Sequence, residues 1–357
     1  MTIVLHVQKV SGISGSENHL LSLLPGLRAR GWDARMLMLH GREPGAAEFA
    51  RELRARDVPV EEMRLRLDLD PLAFGRVTRS VVRTSPRILH THLVHGDAYG
   101  LPAGVLARVP LRVSTKHGFN EFRDHRVFAL GDRAVSGLAQ VQIAISRGLA
   151  DYLAEREGFD ANAFEVVHYG IAAGQEPAPY SGNSPRLLCV GRLIPIKGHE
   201  ILLRAFAAAR EEVPELTLDL AGTGPREQAL RRLAGEGVRF RGHVAPVQPL
   251  IEESAIVVVP SLGEGFGMVA LEAMERARPV IASSVGGLGE IVADGETGLL
   301  VPPGEAEPLR AAIVELARDL SRAAELGRAG RVRALADFSE ERCIERTEAL
   351  YTEALAR

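Results

Sequence analysis

Apolar positions recur along the chain in two alternating rhythms. Short Val-, Ile- and Leu-rich runs predict strands at 3–7, 33–39, 88–91, 112–115, 142–145 and 164–167, with another near Val58. Apolar residues at helical spacing between them predict helices at 17–30 and 48–56. Residues 174–185 (GQEPAPYSGNSP) interrupt the pattern with three Pro and two Gly and no periodicity, which reads as a linker. The pattern then restarts. Strands are expected at 186–190, 216–221, 238–240, 255–259 and 279–282, and helices at 199–210, 226–233, 249–253 and 268–276. The chain closes in two helical segments, 308–336 and 339–355. Strands alternating with helices predict an α/β class built on mostly parallel sheets, here in two consecutive halves. The expected division is 1–172, a linker at 173–185, and 186–338. Ligands of such sheets bind beyond the carboxyl ends of strands, and two domains facing each other would place a site in the cleft between them.

Composition narrows the function. A chain of 357 residues suits about two domains. Its 46% hydrophobic and 25% charged residues are those of a globular protein. A net charge of -3 and the lack of a Lys/Arg run argue against a nucleic-acid partner. The longest uncharged apolar stretch, 134–146, falls short of the ~20 residues that span a bilayer. The opening MTIVLHVQKV has no signal-peptide pattern. Cys189 and Cys343 make neither a disulfide framework nor a metal site. A cytoplasmic protein is expected. Only Lys9, Lys116 and Lys197 among the 43 basic residues are Lys, so a point charge is of interest at each. Residues 71–147 carry 11 Arg or Lys against four Asp or Glu, which suggests either an anionic partner or an ordinary solvated surface.

Four segments carry candidate chemistry. Ser11-Gly12-Ile13-Ser14-Gly15-Ser16-Glu17 follows the first strand and opens a helix, where free amides suit an anion; it is not the G-x-G-x-x-G fingerprint, and a plain tight turn fits as well. Gly191 to Gly198 (GRLIPIKG) places Arg192 and Lys197 on one strand-end loop, able to clamp a diphosphate. In GEGFGMVALE, Glu264 and Glu272 stand eight apart, loop and helix. On one helix that spacing turns roughly 80° away, so they are not a paired-carboxylate face. Glu264 can instead bond a sugar hydroxyl, the amides near Gly267, Met268 and Val269 can receive phosphate, and Glu272 can accept from two vicinal ribose hydroxyls. Lastly, His117 in Thr115-Lys116-His117-Gly118-Phe119-Asn120 stands at a strand end, although a lone His is as readily structural. His90, His92 and His95 in LHTHLVHG lack the partners that would complete a metal site.

With these pieces in place the chain resembles glycosyltransferase family 4, of the GT-B fold. The resemblance spans nearly the whole chain and is strongest over 186–303. It rests on the loop at 12–17, HTHL at 90–93, His117-Gly118, AISRGLADYL, the GR…KG of 191–198, AGTGP, EGFGMVALEAM and PVIASSVGGLGEIVADGETGLLVPPGE. One departure is His168-Tyr169-Gly170-Ile171-Ala172, where the family usually has Pro-Asn-Gly-Val-Asp. The resemblance implies two Rossmann-like domains and transfer of a sugar from a nucleotide sugar, with retention and without a bound metal or other cofactor. Carried onto these residues, Arg192 and Lys197 hold the diphosphate, Glu272 the ribose, and Glu264 the donor sugar. The backbone of Phe266, Gly267, Met268 and Val269 meets sugar and phosphate, Gly15 approaches the phosphate from the N-terminal domain, and His117 contacts the transferred sugar. It also implies that the last helix, 339–357, packs back onto the N-terminal domain.

The same fold class includes phosphorylases and nucleotide-sugar epimerases, and a non-catalytic nucleotide-sugar binder would keep the pocket. The presence of His117, Arg192, Lys197 and Glu264 together favours a transferase. A glycan, lipid-linked or small-molecule acceptor is expected. The basic stretch makes a phosphate-bearing acceptor at the inner membrane face attractive, with peripheral contact to anionic lipid.

Overall fold

The computed structural model describes residues 1–43, 45–67, 70–119, 126–182 and 184–357. It divides the chain into two compact units, Met1–Gly170 with Glu340–Arg357, and Ile171–Ser339.

The first unit holds strands β1 (Ile3–Val10), β2 (Asp33–His40), β3 (Val60–Arg64), β4 (Ile88–His92), β5 (Leu111–Lys116), β6 (Val141–Ala144) and β7 (Phe164–Val166). They alternate with helices α1 (Gly15–Ala29), α2 (Gly45–Ala55), α3 (Pro71–Thr84), α4 (Leu93–Leu106), α5 (Arg126–Ser136) and α6 (Arg147–Glu157). The strands form one parallel sheet in the order β3-β2-β1-β4-β5-β6-β7. Leu20, Leu23, Leu24 and Leu27 of α1 recur at helical spacing and are buried on Val4, Met36 and Met38 of the sheet.

The second unit repeats the plan with β8 (Arg186–Val190), β9 (Thr217–Ala221), β10 (Val238–Gly242), β11 (Ile256–Val259), β12 (Val280–Ser283) and β13 (Gly298–Val301). Its helices are α7 (His199–Glu212), α8 (Glu227–Leu233), α9 (Gln248–Glu252), α10 (Met268–Glu275), α11 (Leu288–Ile291), α12 (Ala306–Arg318) and α13 (Leu320–Asp337). The order is β10-β9-β8-β11-β12-β13, again all parallel. The Pro- and Gly-rich stretch is irregular but tied to this unit. Gly174 N–H donates to Glu275 (2.9 Å), and Arg278 donates to the Ala178 carbonyl (3.0 Å). Asn183 of that stretch lies outside the described residues.

Helix α14 (Glu340–Ala356) belongs to the first unit. Its Ile344, Leu350 and Tyr351 enter the core under α1, and Glu348 accepts from Arg30 (2.8 Å) and the Trp32 indole (2.9 Å). No described helix is long and apolar enough to cross a membrane.

Three differences from the sequence reading have clear causes. Helix α4 lacks an amphipathic stripe because it is buried nearly all round; a Cβ at Gly96, Gly100 or Gly104 would sit 2.5, 2.5 and 2.6 Å from strand atoms. The tail expected as one helix over 308–336 is two, because Asp319 starts α13 by accepting from the Arg322 amide (2.9 Å). The third strand is Val60–Arg64, just beyond Val58, which is buried in the approach to it.

Among the described residues, the basic stretch 71–147 is not one cationic face. Lys116 is 1% exposed, bonded to Asp97 (2.8 Å), Ser136 (2.6 Å) and Asp132 (3.3 Å). Arg83 pairs with Glu61 (2.7 Å), and Arg147 with Asp151 (3.3 Å). Asp97, fully buried, also accepts from Thr91 and Ser114. Removing the cation strands a carboxylate in the interior. Lys116→Met should therefore lower the stability of the first unit by about 3–5 kcal/mol in chemical denaturation; a loss near zero would contradict the pairing.

Candidate active site

In the second unit the strand order reverses between β8 and β11. The chain leaves β8 toward β9 and leaves β11 toward β12, on opposite sides. Their carboxyl ends therefore flank a crevice, the place where such sheets bind ligands. The two segments singled out in the sequence follow these two strands.

They are stitched together. The Leu262 amide donates to the Ile196 carbonyl (2.8 Å). Gly198 has φ +68°, and a Cβ there would lie 1.9 Å from the Pro260 carbonyl oxygen, so both conformation and contact demand glycine. The approach brings Lys197, in a 3-10 turn over Pro195–Lys197, onto Glu264: Nζ to Oε2 is 2.6 Å, and Ser261 Oγ donates to the same oxygen at 3.0 Å. Arg192 stands exposed on the same loop, its side chain unbonded among the described residues.

Gly267 then starts α10, whose first amides at Met268 and Val269 have no acceptor within the helix. Phe266 is 2% exposed, its ring edge-on to Phe338, so only its backbone is available to a ligand. Glu272, one turn into α10 and half-buried, has no cation bonded to it among the described residues. Burial pushes its carboxyl up to about 7. The sequence reading passed over His199, two residues beyond Lys197. It is buried, neither ring nitrogen is paired among the described residues, and burial with the Lys197 charge lowers it to about 4. Arg192, Lys197, Glu264, Phe266–Val269 and Glu272 thus all lie on the chain leaving β8 and β11.

Gly15 and His117 are carried by the first unit, at the ends of β1 and β5. A Cβ at Gly15 would meet nothing within 4 Å, so the protein's own packing does not require glycine there. The loop beside it is fixed through Glu17, which accepts from Gln8 (2.6 Å) and from the Ser14 amide (3.1 Å). His117 is held at both ring nitrogens. Nε2 meets His92 Nδ1 at 2.9 Å, and Nδ1 meets the Tyr169 hydroxyl. His92 Nε2 in turn meets His6 Nδ1 at 2.9 Å, while His6 Nε2 is buried and unpaired. An orphaned buried N–H is costlier than an orphaned lone pair, so the chain of donors runs from His6 through His92 and His117 to Tyr169. Asn120 of the His117 segment lies outside the described residues.

His6 is what the sequence reading of LHTHLVHG lacked. Among the described residues, His6, His90 and His92 are the group of ligand-type side chains close enough to share an ion, with nitrogens within 4.8 Å of one another. All of their nitrogens but His6 Nε2 already have partners. His90 meets the Tyr351 hydroxyl (2.5 Å) and Thr115 Oγ1 (2.6 Å), and His6 meets His92. An ion would have to displace these bonds, so the arrangement is a hydrogen-bonded cluster. Its partners come from β1, β5 and α14, far apart in sequence.

Burial lowers the basicity of His6 and His19 to about 3, and of His90, His92 and His117 well below 6.5. The unfolded chain takes up protons that these folded rings refuse. Their contribution is complete above the unfolded value near 6.5 and is lost as pH falls through it. The first unit should lose stability steadily from about pH 6.5 downward, by denaturation at stepped pH, and His90→Phe should flatten that slope. A stability independent of pH in this range would contradict the neutral cluster.

Two family descriptions match the chain: Glycosyltransferase Family 4 over residues 13–174 and Glycosyl transferases group 1 over residues 184–319. It is 30% identical to a phosphatidyl-myo-inositol mannosyltransferase of Mycobacterium leprae over 328 residues, 85% of this chain and 84% of that one. It is 31% identical to an alpha-maltose-1-phosphate synthase of Mycolicibacterium smegmatis, over 75% of this chain and 79% of that one. Among solved structures, HepE of Anabaena in complex with UDP-glucose superposes with a TM-score of 0.82 at 22% identity, covering 99% of this chain and 100% of that one. That likeness is one of fold, the two-domain GT-B architecture.

Proposed function

Since the chain belongs to glycosyltransferase family 4, we propose that it is a retaining, metal-independent hexosyltransferase, taking its sugar from a nucleoside-diphosphate sugar and passing it to a glycan, lipid-linked or small-molecule acceptor. The carrying observation is the pairing of Lys197 with Glu264 at 2.6 Å, beside Arg192 and the first amides of α10. UDP and UDP-glucose in the Anabaena protein support a nucleotide-sugar donor.

Breaking the glycosyl–phosphate bond leaves negative charge on the departing diphosphate. In this reading Arg192, Lys197 and the amides of Met268 and Val269 hold that charge, the work a divalent ion does elsewhere. Glu264 accepts from a hydroxyl of the donor sugar while steering Lys197. Glu272 accepts from the two ribose hydroxyls, Gly15 gives the phosphate room, and the fixed, neutral His117 contacts the transferred sugar. With both nitrogens tied inside the first unit, His117 serves position rather than proton transfer. The acceptor hydroxyl attacks from the face the diphosphate leaves, and the leaving phosphate oxygen takes its proton. The sugar–oxygen bond to phosphate breaks, the bond to the acceptor forms, and the configuration is retained. A cytoplasmic protein, with peripheral contact to anionic lipid where the acceptor is lipid-linked, fits this reading.

Two outcomes follow. An ionised Glu272 accepts from two hydroxyls more strongly than the protonated acid does, and burial pushes its carboxyl up to about 7. Nucleoside-diphosphate affinity by calorimetry should rise between about pH 6 and 8, and Glu272→Gln should both weaken binding and flatten the rise. A wild-type profile parallel to that of the variant would remove Glu272 from the site. Mass spectrometry of enzyme quenched during turnover should show no hexosyl adduct on the protein; an adduct would replace the front-face route with a covalent one.

A further inference from the structure

Outside these loops the first unit has a concavity of about 720 Å³, within the size range of small-molecule sites. It lies at the carboxyl ends of β1, β2 and β3, the ligand edge of this sheet, lined by Lys9 near the end of β1, residues 41–43 after β2, and Arg64 to Leu67 at the end of β3. Arg76 of α3 also lines it. Five cations line it against one acid, Glu43, among the described residues.

The loop carrying the arginines is shaped in advance. Asp70, the N-cap of α3, accepts from the Arg66 amide (3.1 Å), and Arg76 donates to the Arg64 carbonyl (2.8 Å). Leu65 points into the core at 4% exposure, so Arg64 and Arg66 on either side of it project away from it. The side chains of Arg42, Arg64 and Arg66 are exposed and make no hydrogen bond or ion pair among the described residues. Three exposed guanidinium groups line one hollow, and their planar forks suit a phosphate or carboxylate.

We propose that this concavity is an acceptor subsite for an anionic group, a phosphate ester or its equivalent. The proposal rests on the transferase reading above and names its acceptor class. Strands lie roughly 4.8 Å apart. The hollow spans β1 to β3, whereas His117 follows β5, two strands from β1 and four from β3. The anionic group therefore sits roughly 10–19 Å from the position of the transferred sugar. An acceptor of two or more sugar units, charged at one end and hydroxylated at the other, spans that length, and a single phosphorylated ring fills its anionic end alone. The phosphate can come from a soluble phosphorylated sugar or a lipid headgroup.

The test uses the full chain and calorimetry with a hexose 6-phosphate, the matching free hexose and inorganic phosphate. A second arm uses phosphatidylcholine vesicles with and without phosphatidylinositol. Saturable binding of the phosphorylated probe, absent for the free hexose and weakened by salt, is expected. The exposed triple variant Arg42→Ser/Arg64→Ser/Arg66→Ser should weaken it on the order of tenfold or more. Arg87→Ser, an exposed cation at the opposite, amino end of β4, should leave it unchanged. Inositol-lipid vesicles bound by wild type and released by the triple variant would identify the lipid source; a soluble response alone would identify the free phosphate. Neither response, equal binding of the free hexose, or equal loss in Arg87→Ser would overturn the subsite. Nucleoside-diphosphate binding is measured on every variant. If it persists while the subsite fails, the transferase reading stands without this acceptor. If wild type binds phosphate here but no nucleotide, the hollow binds anions and its role as acceptor subsite falls.

Discussion

The closeness of two strand-end loops in the second unit governs the rest of the site. A residue other than glycine at position 198 would place its Cβ 1.9 Å from the Pro260 carbonyl oxygen. Because Gly198 permits that contact, the loops after β8 and β11 share a hydrogen bond, and Lys197 reaches Glu264. Without it the cation and the carboxylate would belong to separate strand ends. The sheet order supplies the crevice, and the loop contact decides which side chains face it.

The first unit solves a different problem, holding polar groups in its interior. His6, His92, His117 and Tyr169 bond one another in a line, and His90 is satisfied by Tyr351 and Thr115. Burial keeps the rings neutral, so each ring is a fixed donor and acceptor. The buried charge of Lys116 is answered by Asp97 and Asp132. The Tyr351 contact also explains how α14, last in the chain, is keyed to the first unit.

The strand-end loops were legible because their chemistry is local: Arg192 with Lys197, and Glu264 with Glu272, are each written within ten residues of one another. The alternation of strands and helices was legible for the same reason. What the sequence hid is non-local or without contrast. Helix α4 has glycines where an amphipathic helix has its stripe, so its burial leaves no period to read. Tyr169, His6 and Tyr351 meet the histidines only through the sheet order. The basic stretch at 71–147 counted Lys116 as surface charge, whereas the arginine-lined hollow draws mostly on residues outside it.

The central claim is that this chain's own cations and helix amides hold a nucleoside diphosphate without a divalent ion. Isothermal titration of UDP and GDP in excess chelator tests it, on wild type and on Lys197→Met. The account predicts binding of one nucleotide by wild type that is unchanged when magnesium replaces chelator, and that Lys197→Met weakens on the order of a hundredfold. Binding that appears only with magnesium, or a Lys197→Met variant that binds as wild type does, would contradict it.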